Sequence, residues 1–289
     1  MGSLGLTLTS ADFRRVLVAP RGVLLGLGNL LFVSPLLAFA AAEAFSLDPV
    51  LAVGLVIMGA APGGVMANLL THLARGETAL SITLTAISSL AATITIPLYL
   101  GLAINHFGAD LDSDVSLIGT VALVFAITVI PLSIGMAFRA RHPVRAVAVE
   151  PRLKRAALVA FVVIVIGAVV SEWSKVTESF GSVAPAALAL NLAAMTISFT
   201  LGRLARLPDR QSTAIALELG LHNGTLTIAV AATIDDQLAI PAAVYSAFMF
   251  LTAVPFARFM ARRNAPGAEP PAGGLLEGAA AGYGRGRGA

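Results

Sequence analysis

Residues 216–230 read ALELGLHNGTLTIAV and set a carboxylic acid (Glu218), an imidazole (His222) and a carboxamide (Asn223) into a run that is otherwise apolar or small. A second stretch, GLVIMGAAPGGVMANLL at residues 54–70, carries Asn68 shortly after Pro62, Gly63 and Gly64. Ser81 and Thr85 follow at i and i+4, on one face of any helix that holds them. These groups are oxygen-rich: one carboxylate, two carboxamides and two hydroxyls. Hard cations favour oxygen ligands, and one carboxylate among neutral oxygens suits a monovalent ion. A proton relay through Glu218 and His222 is the alternative chemistry, because imidazole titrates near neutrality. Each residue also has a plainer reading. Glu218 could pair with a buried partner, although no Lys or Arg falls inside its span and an unpaired charge in a bilayer is costly. His222 could hydrogen-bond across helices, Asn68 and Asn223 could cap helix ends, and Ser81 and Thr85 are common packing residues between membrane helices.

The elements that must position these groups are membrane helices. The chain of 289 residues is 57% hydrophobic and 12% charged, with a mean hydropathy of +0.87. Stretches of the roughly 20 apolar residues needed to cross a bilayer recur along it. Punctuation by charges and turn formers yields eight spans near 22–42, 49–73, 79–104, 115–138, 156–174, 183–204, 212–234 and 239–261. With the N-terminal segment inside, eighteen of the nineteen Lys and Arg residues, all but Lys175, fall on the inner side. That asymmetry is the positive-inside rule, and it predicts a multi-pass protein of a cell (inner) membrane with both termini cytoplasmic. It also accounts for the basic charge without nucleic acid, for which no basic patch interleaved with aromatics exists. With no cysteine there is no thiolate metal site and no cysteine nucleophile. Nor does any nucleophile with a base, phosphate loop or metal cluster suggest an enzyme.

Two spans break their own helical pattern. Pro62 lacks an N–H, and Gly63 and Gly64 accept almost any backbone angle, so the second span should unwind there. The seventh span should unwind between Gly220 and Gly224. Unwound backbone at mid-bilayer persists only where protein or a wet cavity satisfies it. The broken spans run in opposite directions, and each is the penultimate member of its set, spans one to three and spans four to eight. This is the pattern of an inverted-repeat transporter whose first repeat lacks two helices. Pro35, Pro97, Pro131 and Pro241 read as ordinary kinks. Residues 142–155, the longest basic connection, read as a hinge between halves, and residues 264–289, rich in Gly, Pro and Ala, as a disordered cytoplasmic tail.

The stretches GAAPGGVMANLLTHLARGETALSITLT and LELGLHNG resemble the bile acid:sodium symporter family, and LGLTLTSADFRRVLVAPR at residues 4–21 is similar to that family's second-to-third helix connection. The resemblance implies an all-α polytopic fold of ten helices in two inverted repeats, here without the first two helices. It divides the fold into a cytoplasmic N-terminal segment at 1–20 and a transporter domain at 21–263. Core helices lie near 22–104 and 183–261, and panel helices near 115–174. It further implies a sodium position formed by Asn68, Ser81, Thr85 and Glu218. A second position would use the same acid, the carbonyls of Leu219 and Leu221, His222, and Asn29 on the first span. Two departures stand out near the first position: Ala67 replaces a usual serine and Val65 a frequent threonine. Histidine in the second set is a poor sodium ligand, since neutral imidazole offers one nitrogen lone pair and imidazolium none.

The expectation is therefore a secondary active transporter that couples sodium entry to import of an organic anion. Gly64, Val65, Asn68 and Asn223 would face the substrate where two half-helix N-termini offer partial positive charge. Its partners are sodium, a small organic anion and the lipid bilayer, with no nucleic acid. A proton-coupled carrier or efflux protein of the same fold is the alternative, as is a truncated homologue that does not transport.

Overall fold

The computed structural model describes residues 1–9, 20–111 and 116–265, and among them the protein is all-α. It is a polytopic membrane protein: six helices are long and apolar enough to cross a bilayer. Helix α1 is the short Gly2–Gly5 turn, and α2 spans Pro20–Ala44. Two half-helices follow, α3 (Pro49–Gly59) and α4 (Val65–Leu73). Then come α5 (Thr78–Phe107), α6 (Leu117–Arg141), α7 (Pro143–Ser171) and α8 (Trp173–Leu204). A second pair of half-helices, α9 (Asp209–Gly220) and α10 (Gly224–Ala231), precedes a 3-10 turn and the last helix, α11 (Ala239–Arg263).

Burial sorts these helices. In α3 every residue from Leu51 to Gly59 is buried. A helix that is apolar all round and buried all round belongs at the centre of the molecule. Small residues let its neighbours approach: a Cβ on Gly59 would meet Ala38 and the Ser34 carbonyl, and one on Gly54 would strike the Leu238 carbonyl. Close backbone approach of this kind replaces the hydrophobic driving force that lipid cannot supply. Helix α7 is the opposite case. Val159, Val163, Ile166 and Val170 are exposed along it, an apolar surface suited to lipid tails or another apolar helix.

Proline shapes α2 in a specific way. Its middle turn, Asn29–Val33, is a π-helix immediately before Ser34 and Pro35. Pro35 has no N–H for the carbonyl four residues back, that of Leu31, and the Tyr99 hydroxyl donates to this carbonyl at 2.8 Å. The kink is thus held by a neighbouring helix. Pro241, by contrast, lies in the first turn of α11, where the missing N–H breaks no intrahelical bond.

Residues 143–155 are helical, and His142 alone breaks the chain between α6 and α7. Pro143 starts α7, which continues through the basic run without interruption. Proline is preorganised for a first helical turn, and the Lys154–Glu150 pair at i, i+4 supports the turns that follow. Helices α7 and α8 are separated by Glu172 alone. The opening residues, expected as a cytoplasmic segment, pack against α6: Leu4 and Leu8 are buried with Ala86 and Leu132. The expected tail beyond Ala265 and the rest of the N-terminal segment, 10–19, lie outside the described residues.

Four helix ends share one left-handed stop signal, at Ser46, Arg75, Gly108 and Arg206, and two of them lead into broken helices. After α2, Ser46 adopts φ 48°, and the Leu47 N–H bonds back to the Ala42 carbonyl. After α8, Arg206 adopts φ 56°, and the Leu207 N–H bonds back to the Gly202 carbonyl. Both are left-handed C-terminal caps with the long return bond of a Schellman motif, and each delivers the chain into the first half of a broken helix.

Candidate ion and substrate site

The two breaks meet. The Gly64 N–H donates to the Leu221 carbonyl at 2.7 Å, and the Asn223 N–H donates to the Pro62 carbonyl at 2.8 Å, forming an isolated antiparallel bridge between Gly63 and His222. Each unwound turn thus satisfies the backbone of the other, which is how irregular chain survives where water is absent. The crossing needs its glycines. A Cβ on Gly63 would collide with the Glu218 carboxylate, and one on Gly64 would stand 3.0 Å from the Leu221 carbonyl oxygen.

Glu218 is fully buried in the last turn of α9. That is the negative end of a helix, an unfavourable place for an acid. Among the described residues no Lys or Arg pairs with it. Its carboxylate accepts hydrogen bonds from two hydroxyls on α5, Ser81 at 2.8 Å and Thr85 closer still. The same hydroxyls face α4: Ser81 Oγ lies 2.8 Å and Thr85 Oγ1 3.4 Å from Asn68 Oδ1. Thr85 also reaches the Ser81 carbonyl at 3.0 Å. With the Asn68 oxygen turned inward, the Ser81 and Thr85 protons serve two carboxylate oxygens, a carboxamide oxygen and a carbonyl, while a third hydroxyl, that of Thr71, donates to Ser81 Oγ at 3.4 Å. Acceptors still outnumber the hydroxyl donors around this buried carboxylate. Among the described residues no group of three His, Cys, Asp or Glu is placed to hold a metal ion.

His222 belongs to a separate network. Its Nε2 lies 3.0 Å from Ser34 Oγ and its Nδ1 3.2 Å from the Tyr245 hydroxyl. Asn191 Nδ2 donates to the Tyr245 hydroxyl at 3.0 Å and to the Gly220 carbonyl at 2.7 Å. Tyr245 itself lies 3.3 Å from the Gly220 carbonyl and 3.4 Å from that of Leu219. One proton assignment satisfies the set: Ser34 donates to Nε2, Nδ1 donates to Tyr245, and Tyr245 donates to a carbonyl. Both ring nitrogens of a neutral imidazole are then engaged.

The groups expected at one ion position, Asn68, Ser81, Thr85 and Glu218, therefore share one buried cluster. Of those expected at a second, His222 Nδ1 and the Leu219 carbonyl both lie beside the Tyr245 hydroxyl, at 3.2 and 3.4 Å. The Leu221 carbonyl is taken by Gly64, and the buried Asn29 Nδ2 has no partner among the described residues. Ser34, Asn191 and Tyr245 escaped the sequence reading. The available signal was the polar side chain itself inside an apolar span, which for Tyr245 is easily taken as aromatic packing.

A cavity of about 290 Å3 opens beside the crossing. Gly64, Val65 and Met66 line it from the start of α4, and Asn223, Gly224 and Thr225 from the start of α10. Asn223 Oδ1 accepts from the Leu226 N–H at 3.1 Å, capping α10. Asn68 lies outside this cavity and lines a smaller one of about 180 Å3 on the far side of Val65. Of the four residues expected to face substrate, Gly64, Val65 and Asn223 thus share one cavity, while Asn68 turns toward the oxygen cluster.

Comparison with known proteins agrees along most of the chain. The sodium-dependent transporter YocS of Bacillus subtilis, itself uncharacterized, is 29% identical over 265 residues, 91% of this chain and 81% of that protein. The probable sodium/metabolite cotransporter BASS2, chloroplastic, of rice is 27% identical over 92% of this chain and 63% of its own length. The human ileal sodium/bile acid cotransporter is 29% identical over 78% of this chain and 64% of its own length. The chain therefore spans less than two thirds of the plant and human proteins. Residues 1–179 match the sequence profile of the Sodium Bile acid symporter family, and on that match, more than half of its length, the chain belongs to this family of transporters.

Proposed function

We propose that the protein is a secondary active transporter that imports a small organic anion together with sodium by alternating access. One observation carries the reading: a fully buried carboxylate, Glu218, held by the oxygens of Ser81 and Thr85, with Asn68 beside them and no basic partner among the described residues. Such a carboxylate must be neutralised, and a monovalent cation satisfies the surplus acceptors that a proton would leave unmade. Sodium dependence in the names of the relatives supports the same ion. We assign sodium to Asn68, Ser81, Thr85 and Glu218, and leave His222 to its hydrogen bonds.

The anion belongs in the cavity beside the crossing, where the first turns of α4 and α10 present the positive ends of two half-helices. Its volume stands at the low end of ligand pockets, roughly 300–1,000 Å3, and favours a small carboxylate or sulfonate over a larger body. Eight passes arranged as inverted repeats fit the two half-helix pairs. With the basic loops inward, both termini face the cytoplasm of a cell membrane.

Uptake of labelled organic anions into proteoliposomes, under separate sodium and proton gradients, tests the proposal. Accumulation should follow the sodium gradient. Uptake that follows the proton gradient alone would replace sodium with a proton at Glu218.

A further inference from the structure

The cavity beside the crossing is apolar along most of its wall, yet among the described residues one charged side chain lines it, that of Lys154 on α7. Lys154 also lines the smaller cavity, whose wall includes Asn68. Among the described residues Lys154 is the one charged side chain lining both spaces, the substrate cavity and the compartment next to Asn68. Its placement is a property of helix geometry. Lys154, Ala157, Leu158 and Phe161, at i, i+3, i+4 and i+7, form one face of α7, and all four line the larger cavity. Arg152 and Arg155 on the same helix line neither cavity. Resting topology charge therefore accounts for the arginines and leaves Lys154 in a different place.

Its partner also matters. Lys154 Nζ lies 2.5 Å from Glu150 Oε1, one turn toward the start of α7, with both side chains partly exposed. Glu150 lines neither cavity. An ammonium with a long flexible stem can leave such an exchangeable partner for an anion inside an apolar cavity, where the interaction is less screened by water.

We propose that Lys154 is the anchor for the anionic head of the substrate, and that Glu150 competes for it when the cavity holds no anion. The proposal rests on the reading of this cavity as the substrate site. It names the specificity determinant there: a single negative charge on an apolar body, recognised by Lys154 together with the half-helix ends at Val65 and Thr225.

The test measures binding of two anions of different size, benzoate and cholate, each beside its uncharged primary amide, to purified protein in sodium-containing buffer. Wild type should prefer each anion it binds over the matching amide. Lys154→Gln should weaken anion binding by about ten-fold, the scale of a lost hydrogen bond to a charged group, and leave amide binding unchanged. Lys154→Arg should retain the preference, and Glu150→Gln should tighten anion binding by removing the competitor. Sodium-dependent thermal stabilisation without any anion reports that each variant is folded, and it should match wild type. An anion-to-amide ratio unchanged in Lys154→Gln would overturn the proposal while leaving the cavity as the substrate site. Failure of wild type to bind any of these anions would overturn the proposal together with that reading.

Discussion

At Glu218 a side chain that water would normally solvate is enclosed by Ser81, Thr85 and Gly63. Glu218→Gln keeps the shape and removes the charge. If sodium binds there, wild type should gain thermal stability with sodium, by about 2.7 kcal/mol at a hundred times the dissociation constant, and the variant should gain none. Equal gains in both proteins would remove Glu218 from the ion site. Gly63→Ala tests the same packing from the backbone side. The added methyl must displace the carboxylate, so we expect a loss of about 1–3 kcal/mol in stability and a weakened response to sodium in the same titration. His222 should behave differently, because its partners are Ser34 and Tyr245. His222→Leu leaves both hydroxyls short of a partner and should lower stability by about 1–3 kcal/mol. The sodium-dependent increment should persist. Its disappearance would move His222 into the ion site.

Half-helices are short, and α10, with eight residues, is below the length at which an isolated helix is stable in water. Such elements stand because their ends are specified. Asp48 accepts from the Val50 N–H at 3.1 Å as α3 begins at Pro49, and Asn223 caps α10. Ser46 supplies the left-handed residue before α3. A serine there carries a Cβ penalty that glycine lacks, of about 1–2 kcal/mol at most. Ser46→Gly should therefore raise the thermal midpoint in detergent, and Ser46→Val should lower it. A fall for both would mean that the serine hydroxyl matters more than the backbone angle.

For the whole molecule the absence of cysteine is convenient, since one introduced thiol reports on one position alone. The asymmetry of basic residues predicts opposite sides for the two ends of adjacent helices α5 and α6. In intact cells, a membrane-impermeant maleimide should label Ala109→Cys, while Arg141→Cys should react only after permeabilisation. The reversed pattern would invert the topology.

Much of this molecule was legible in its sequence. Hydropathy alone marks a polytopic helical membrane protein, because a bilayer admits a helix only as a long apolar run. Proline and glycine marked both breaks, since their backbone properties are local. The oxygen cluster was approached through Asn68, Ser81, Thr85 and Glu218, each conspicuous in an apolar context and each named with the help of a family resemblance. Other features depended on which helices touch. That Gly64 and Asn223 exchange backbone bonds with Leu221 and Pro62 follows from two segments, more than 150 positions apart, crossing at one point. The pairing of His222 with Ser34 and Tyr245, and the rotation of α7 that turns Lys154 toward the cavity while Arg152 and Arg155 face elsewhere, have no local signature. Helix periodicity says which residues share a face, but only tertiary packing decides what that face meets.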